Sequence, residues 1–312
     1  MSKYGDIKVD RFLTNYSIKY GQGLFVASEV FPFVKVDKES DKYPVYGKQD
    51  KRIYDTVQAS NAEANEVDPF EIESTPTYTC DRHALKHKIS QDDIDAADKP
   101  IDLEVDATGY ITENLMLAHE KRAADLATAA ATFATSGHTA TRTGTAQWDN
   151  ASYTGDIEEE LDAAKETIRA AIGFEPNHIV IPAAVAKVMK RDSNIRALRK
   201  FTNDNLLING DLPATLFNMK VLIPGGIYDS ANHGATYSGS DVWGKHVLLF
   251  YKSPGTPRKK MMTFGQTFFT QMRRVDKWDT IDPRGKYVRA DEKNDVKVVC
   301  EYAAYLIRNV IS

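Results

Sequence analysis

The sequence predicts an α+β fold in two lobes, and three observations predict it. The first is a run from Asp156 to Gly226 that alternates helix with short strand, EPNHIVIPAAVAKVMKRDSNIRALRKF and then LPATLFNMKVLIPGG. The second is a long alanine-faced helix between Thr112 and Ser136, ENLMLAHEKRAADLATAAATFATS. The third is a charged, tyrosine-bearing stretch from Asp37 to Asp68, with β-prone runs but little to bury. At 312 residues the chain can hold a sizeable core and both lobes.

Taken in order, the first 27 residues are polar, aromatic-dotted and weakly periodic. They predict an extended arm lying on a neighbour rather than a packed element. Ser28 to Val36, SEVFPFVKV, is β-branched around Pro32, which lacks a ladder N–H, so an edge strand is expected. Asp37 to Asp68 carries Tyr43, Val45, Tyr46, Ile53, Tyr54 and Val57 among alternating charges. Two runs joined by Gly47–Lys51 predict a long two-stranded arm. An isolated hairpin is marginal in water, so such an arm rests on something else, here a neighbouring copy; a solvated surface loop is the alternative.

Tyr78 to Ser90 alternates like a strand packed on one side, and Asp92 to Asp98 reads as a short acidic helix. In the long helix, Met116, Ala123, Ala127, Ala130 and Ala134 recur at helical spacing, with Gly137 as its stop. Gly137 to Thr154 is Thr/Gly-rich and predicts a loop. The second lobe opens on the capping box Asp156–Glu159, followed by an apolar stripe of Ile157, Leu161, Ala164, Ile168 and Ile172, and ends its helix at Gly173. His178 to Ile181 is a buried strand, and Pro182 takes the first position of a helix closed by Lys187, Lys190 and Arg191. Lys220 to Ile223 and His246 to Tyr251 are apolar strands holding a polar loop between Tyr228 and Gly244. Beyond the hinge-like SPGTPRKK, Met261–Met272 and Lys286–Ala290 are strand-like. Through Ile311 this tail is expected to pair with the first lobe, making the second lobe an insertion.

Composition and motifs narrow the function by exclusion. Net charge is −4 and the pI about 6.0, without the basic surplus of a specific nucleic-acid binder. Cys80 and Cys300 stand far apart with no C-x-x-C spacing, as two reduced thiols of a cytosolic protein. No apolar run suits a signal peptide or a membrane span. Gly21-Gln22-Gly23 lacks the third glycine and the βαβ setting of a dinucleotide fingerprint, and neither a P-loop nor a nucleophile elbow occurs. His83 and His87 lie on the expected strand, on one side but roughly 13 Å apart, too far to share a metal. Glu158, Glu159 and Glu160 suit a helix start, and Arg258, Lys259 and Lys260 a solvated turn. No catalytic, cofactor-binding or metal-binding residues are expected, and the chain is not expected to be an enzyme.

The order of parts resembles the major capsid proteins of tailed phages, whose shell fold is named after phage Hong Kong 97. VFPFVKVDKESDKYPVYGK is similar to that family's lead into an extended hairpin loop, and Tyr78–Ser90 to the strand returning from it. Thr112–Ser136 resembles the spine helix of the peripheral domain, Asp156–Lys252 the axial domain, and the tail through Glu301–Tyr305 the peripheral domain's last strand. The resemblance implies an N-terminal arm and lead-in strand over 1–36 and an extended loop over 37–77. It implies a peripheral domain over 78–155 and 253–312, and an inserted axial domain over 156–252.

It further implies self-assembly as pentamers and hexamers into an icosahedral shell around phage double-stranded DNA, contacted without sequence specificity. Tyr46, Lys48, Asp50, Lys51 and Arg52 would contact an adjacent subunit, and Asn232, His233 and Tyr237 would line a rotational axis. Some relatives join a loop lysine covalently to a neighbour; Lys42, Lys48 and Lys51 are placed for this by position alone, and no such link is expected. The short front leaves no room for a built-in scaffold, so either a separate scaffolding protein is expected or assembly needs none; a portal and a possible decoration protein are the other expected partners, with no membrane. The protein would reside in the virion after assembly in the host cytoplasm. A cellular nanocompartment shell around a cargo enzyme, and an α/β enzyme with an unrecognised site, are the alternatives.

Overall fold

The computed structural model describes residues 8–19, 25–46, 56–58, 63–64, 66, 72–96, 102–192, 195, 212–232, 234–255, 262–282 and 284–312. The chain begins with β1 (Lys8–Val9) and α1 (Arg11–Lys19). Asp10 caps α1, accepting from the Leu13 N–H at 3.0 Å. Leu13 and Ser17, one turn apart, are buried, and Ser17 Oγ lies 2.6 Å from Thr112 Oγ1. Residues 11–19 are therefore a docked helix where the sequence suggested an extended arm. Two inward positions are too few to give a polar segment a helical signature.

α2 (Ala27–Val30) is one helical turn where a strand was expected. The strand follows Pro32, as β2 (Phe33–Lys35). The base of the arm is β3 (Ser40–Lys42), β4 (Val45–Tyr46), β5 (Ile72–Ser74) and β6 (Thr77–Thr79). β3 pairs with β6 and β4 with β5. The described ladder thus joins 40–46 to 72–79, while Gly47–Lys51 and the start of the second expected run, Ile53 and Tyr54, lie outside the described residues. Burial explains the choice: Tyr78 stacks on Phe268 at 4.7 Å, and this fixes which limb returns.

β7 (Asp81–Ser90) and α3 (Gln91–Ala96) follow as expected, then α4 (Leu103–Thr128). α4 starts at Leu103, well before Thr112, because Asp102 caps it by accepting from Glu104 N–H at 3.1 Å and Val105 N–H at 3.3 Å. At 26 residues it spans about 39 Å. A 3₁₀ turn, Ala130–Phe133, closes it. The expected loop over 137–154 contains a strand, β8 (Thr139–Thr141).

α5 (Ile157–Ile172) buries its predicted stripe and ends at Gly173, whose φ of 75° is a left-handed cap. Asp156 caps it through the Glu158 N–H at 2.9 Å. β9 (His178–Val180) leads to α6 (Ala183–Met189), with Pro182 as N-cap rather than first helical residue. β10 (Thr215–Leu216), β11 (Met219–Leu222), β12 (Ile227–Asp229), β13 (Gly239–Asp241) and β14 (Val247–Phe250) follow. The chain closes with two long strands, β15 (Gly265–Ile281) and β16 (Arg284–Val298), and with β17 (Ala304–Arg308).

Two sheets organise the molecule. The first runs β1-β15-β16-β7 with β2 added in parallel to β15. The second runs β10-β11-β9-β14-β17-β8. Its centre, β14 (VLLF), is buried throughout, as a strand covered on both faces must be. The tail divides between them. β15 and β16 pair with the first lobe as expected, but β17 lies between β14 and β8, so the second sheet draws two strands from outside 156–252.

α4 ties the sheets together. Its first half buries Ala107, Ile111 and Leu115 against Leu13, Ile89, Val275, Val288 and Ala290. Its second half places Ala123, Ala124 and Ala127, each fully buried, in the large core with α5, α6 and the second sheet. Alanine at these positions lets neighbouring backbone approach closely. A third cluster, Val34, Val36, Tyr43, Tyr78, Cys80, Phe268 and Val299, fastens the base of the arm to the long sheet.

Candidate assembly surfaces

The base of the arm is held by packing and by charge. Tyr43 and Tyr78 lie 5.3 Å and 4.7 Å from Phe268, Thr79 N–H donates to Asp295 Oδ2 at 2.8 Å, and Glu39 pairs with Lys293. Burial, helped by Asp295, pushes the Tyr43 phenol up to about 12. The same causes push the Cys80 thiol up to about 11, so it stays protonated and is a packing residue rather than a nucleophile. Tyr46 sits in β4 opposite Ile72, at the last described rung. Lys48, Asp50, Lys51 and Arg52 lie outside the described residues.

The expected loop between Tyr228 and Gly244 is a β-hairpin, with Tyr228 opposite Ser240 and Asp229 opposite Gly239. Asp229 holds both limbs, accepting from Ala231 N–H and Ser238 N–H at 2.9 Å each, and these donors keep its carboxyl below the usual range. Asn232 is at the tip, where its carbonyl accepts from Ala235 N–H at 2.9 Å. The Tyr237 ring is 69% exposed and folds over Gly239, where a Cβ would lie 2.7 Å from its hydroxyl. Asn232 and Tyr237 thus share one hairpin end; His233 lies outside the described residues.

Sequence reasoning did not find what anchors this hairpin. Trp243, two residues past β13, is buried and donates its indole N–H to Glu120 Oε1 at 2.6 Å. Glu120 also accepts from Val26 N–H at 2.9 Å and Ala27 N–H at 2.8 Å. One α4 carboxylate therefore joins the spine helix, the segment before α2 and the hairpin's exit. Desolvation raises its pKa in spite of the three donors. Beside it, His119 stacks on Phe33 at 5.2 Å, and burial, with Arg122 and Arg273 adding to it, pushes its imidazole down to about 3. No sequence pattern marks either residue, since each lies in an ordinary helical run.

Among the described residues no group of three His, Cys, Asp or Glu is placed to hold an ion. His83 and His87 lie on β7; His83 meets Arg122 at 3.0 Å and His87 packs edge-on against Tyr110 at 6.0 Å. Arg258, Lys259 and Lys260 lie outside the described residues. No described helix is long and apolar enough to cross a membrane.

A family model described as phage capsid protein matches residues 73–287. The major capsid protein of Burkholderia phage BcepMu is 30% identical over 245 residues, covering 78% of this chain and 76% of its own. The chain belongs to the phage capsid protein family. A phage-related protein from Bordetella bronchiseptica RB50 superposes on this capsid protein with a TM-score of 0.74 at 23% identity, covering 98% of each chain. The capsid of cyanophage P-SCSP1u superposes with a TM-score of 0.64 at 12% identity, covering 93% of this chain and 89% of that one. The fold is the α+β shell fold of Hong Kong 97-type capsids, and the protein is structural, a component of a shell.

Proposed function

We propose that this capsid protein self-assembles as pentamers and hexamers into an icosahedral shell that encloses double-stranded DNA without reading its sequence. The observation that carries the reading is the family match across 73–287, on a chain whose arm is fastened to the long sheet at its base. Tyr46, Lys48, Asp50, Lys51 and Arg52 contact an adjacent subunit, and the β12–β13 hairpin with Asn232, His233 and Tyr237 lines the axis of each ring. Assembly takes place in the host cytoplasm with a separate scaffolding protein, a portal and, where the shell needs one, a decoration protein; the finished protein resides in the virion. The chain has no turnover of its own.

Excising residues 48–52 tests the arm. Val45 is half-buried against the Tyr43–Tyr78 cluster, so the cut must spare it. The expected outcome is a soluble chain with an unchanged melting temperature that fails to close shells. Unfolding of the excised chain would place the segment in the core, and normal closure would remove it from the contact.

A further inference from the structure

The two sheets meet at a joint, where α4 leaves one core for the other. Leu115 is the last α4 residue buried against the long sheet, and Ala123 the first fully buried in the large core. Glu120 lies between them. Residues 26–34 cross the joint beside it as a strap: Val26, Ala27, Val30 and Phe31 belong to the large core, whereas Val34 packs on the long sheet. At the long sheet the strap is fixed by backbone and packing. Thr267 N–H donates to the Pro32 carbonyl at 3.0 Å, and the Phe31 ring lies so close to Gly265 that a Cβ there would meet it at 2.2 Å.

At the second sheet the strap is fixed by two carboxylates. Glu120 ties the Val26 and Ala27 N–H groups to the Trp243 indole, which enters from the hairpin's exit. Glu29 of α2 accepts from Lys252 Nζ at 2.7 Å, with Lys220 Nζ 3.7 Å away, so α2 is pinned to β11 and to the exit of β14. Packing fills this end incompletely. A cleft of about 80 Å³ opens beside α4, lined by Phe25, Phe33, Met116, His119 and Glu120, and its walls forgo the contacts that would hold strap to helix. Carboxylates are exacting where packing is not, because their charge-assisted bonds are short and directional, and a buried donor left facing nothing is costly.

We infer that Glu120 and Glu29 lock the angle between the two sheets, and that this angle sets the diameter at which shells close. The inference rests on the shell reading. A closed shell repeats one subunit geometry many times, so a small change of angle in every copy accumulates into a different curvature.

The test uses full-length chains. Trp243→Phe removes the indole donor and keeps a ring, and Glu29→Ala acts at a side chain that is 40% exposed. Both should fold and close shells, and electron microscopy should find the proportion of shells away from the parental diameter raised about tenfold. Glu29→Lys/Lys252→Glu re-forms the pair with its charges exchanged and should return shells to the parental diameter. Because Cys80 and Cys300 are buried, spin labels at Lys86→Cys on β7 and Arg169→Cys on α5 report the joint in dispersed subunits. Their distance distribution should broaden in Trp243→Phe and in Glu29→Ala. Four results would overturn the inference while leaving the shell reading intact. They are an unbroadened distribution, the parental diameters from either variant, failure of the exchanged pair to restore them, and loss of shells by a folded Glu29→Ala chain. Absence of shells from the unmodified chain would instead overturn the shell reading.

Discussion

His119 and Glu120 are adjacent on α4 and carry opposite pH signatures. His119 titrates near 6.5 when unfolded and near 3 when folded, so the unfolded chain takes the proton first. Its contribution is therefore fully present above pH 6.5 and is lost as pH falls toward 3. Glu120 has a raised folded value, so its own contribution runs the other way, greatest below its unfolded value and declining as pH rises. A His119→Gln subunit should show a flatter dependence of melting temperature on pH between about 6.5 and 3 than its parent. An unchanged slope would mean that other groups carry the acid sensitivity. Neither residue was legible as special, because a buried polar contact to a distant backbone leaves no trace in local periodicity.

The spine helix was legible as an element and its start was not. Ala123 and Ala127 recur at helical spacing and are fully buried, so pattern and structure agree there. The first turns were missed because Leu103–Ile111 takes its burial from two different partners, the long sheet and α1, rather than from one apolar stripe. Ala127→Leu should destabilise the dispersed subunit by about 1–3 kcal/mol through overpacking, measured by denaturant unfolding. Ala163→Leu, on the exposed side of α5, should stay within about 0.5 kcal/mol. Equal effects at both sites would show that the alanine face is not closely packed. The β12–β13 hairpin allows a prediction of its own. Histidines meeting around an axis repel once protonated, so parent shells should loosen as pH falls through about 6.5 and His233→Asn shells should not. Equal acid stability of the two would remove His233 from the axis contact.

At the scale of the whole molecule, the second lobe's helix–strand succession was readable because α5, β9 and α6 are local, each carrying its period and its cap. What the sequence hid is non-local. β17 inserts between β14 and β8, β5 and β6 return to pair with β4 and β3, and α1 docks through the buried Leu13 and Ser17. Strings such as RRVDKWDT and KYVRADEKND alternate charge with apolar residues, and that alternation was the available sign of a strand with two working faces. In the proposed shell, the arm's tip and the hairpin's end find their use when copies meet. The most direct measurement is therefore electron microscopy of the purified, unmodified chain at near-physiological salt, alone and with a candidate scaffolding protein. Closed shells, or rings of five and six subunits, are the predicted result; a homogeneous monomer under every condition would contradict it.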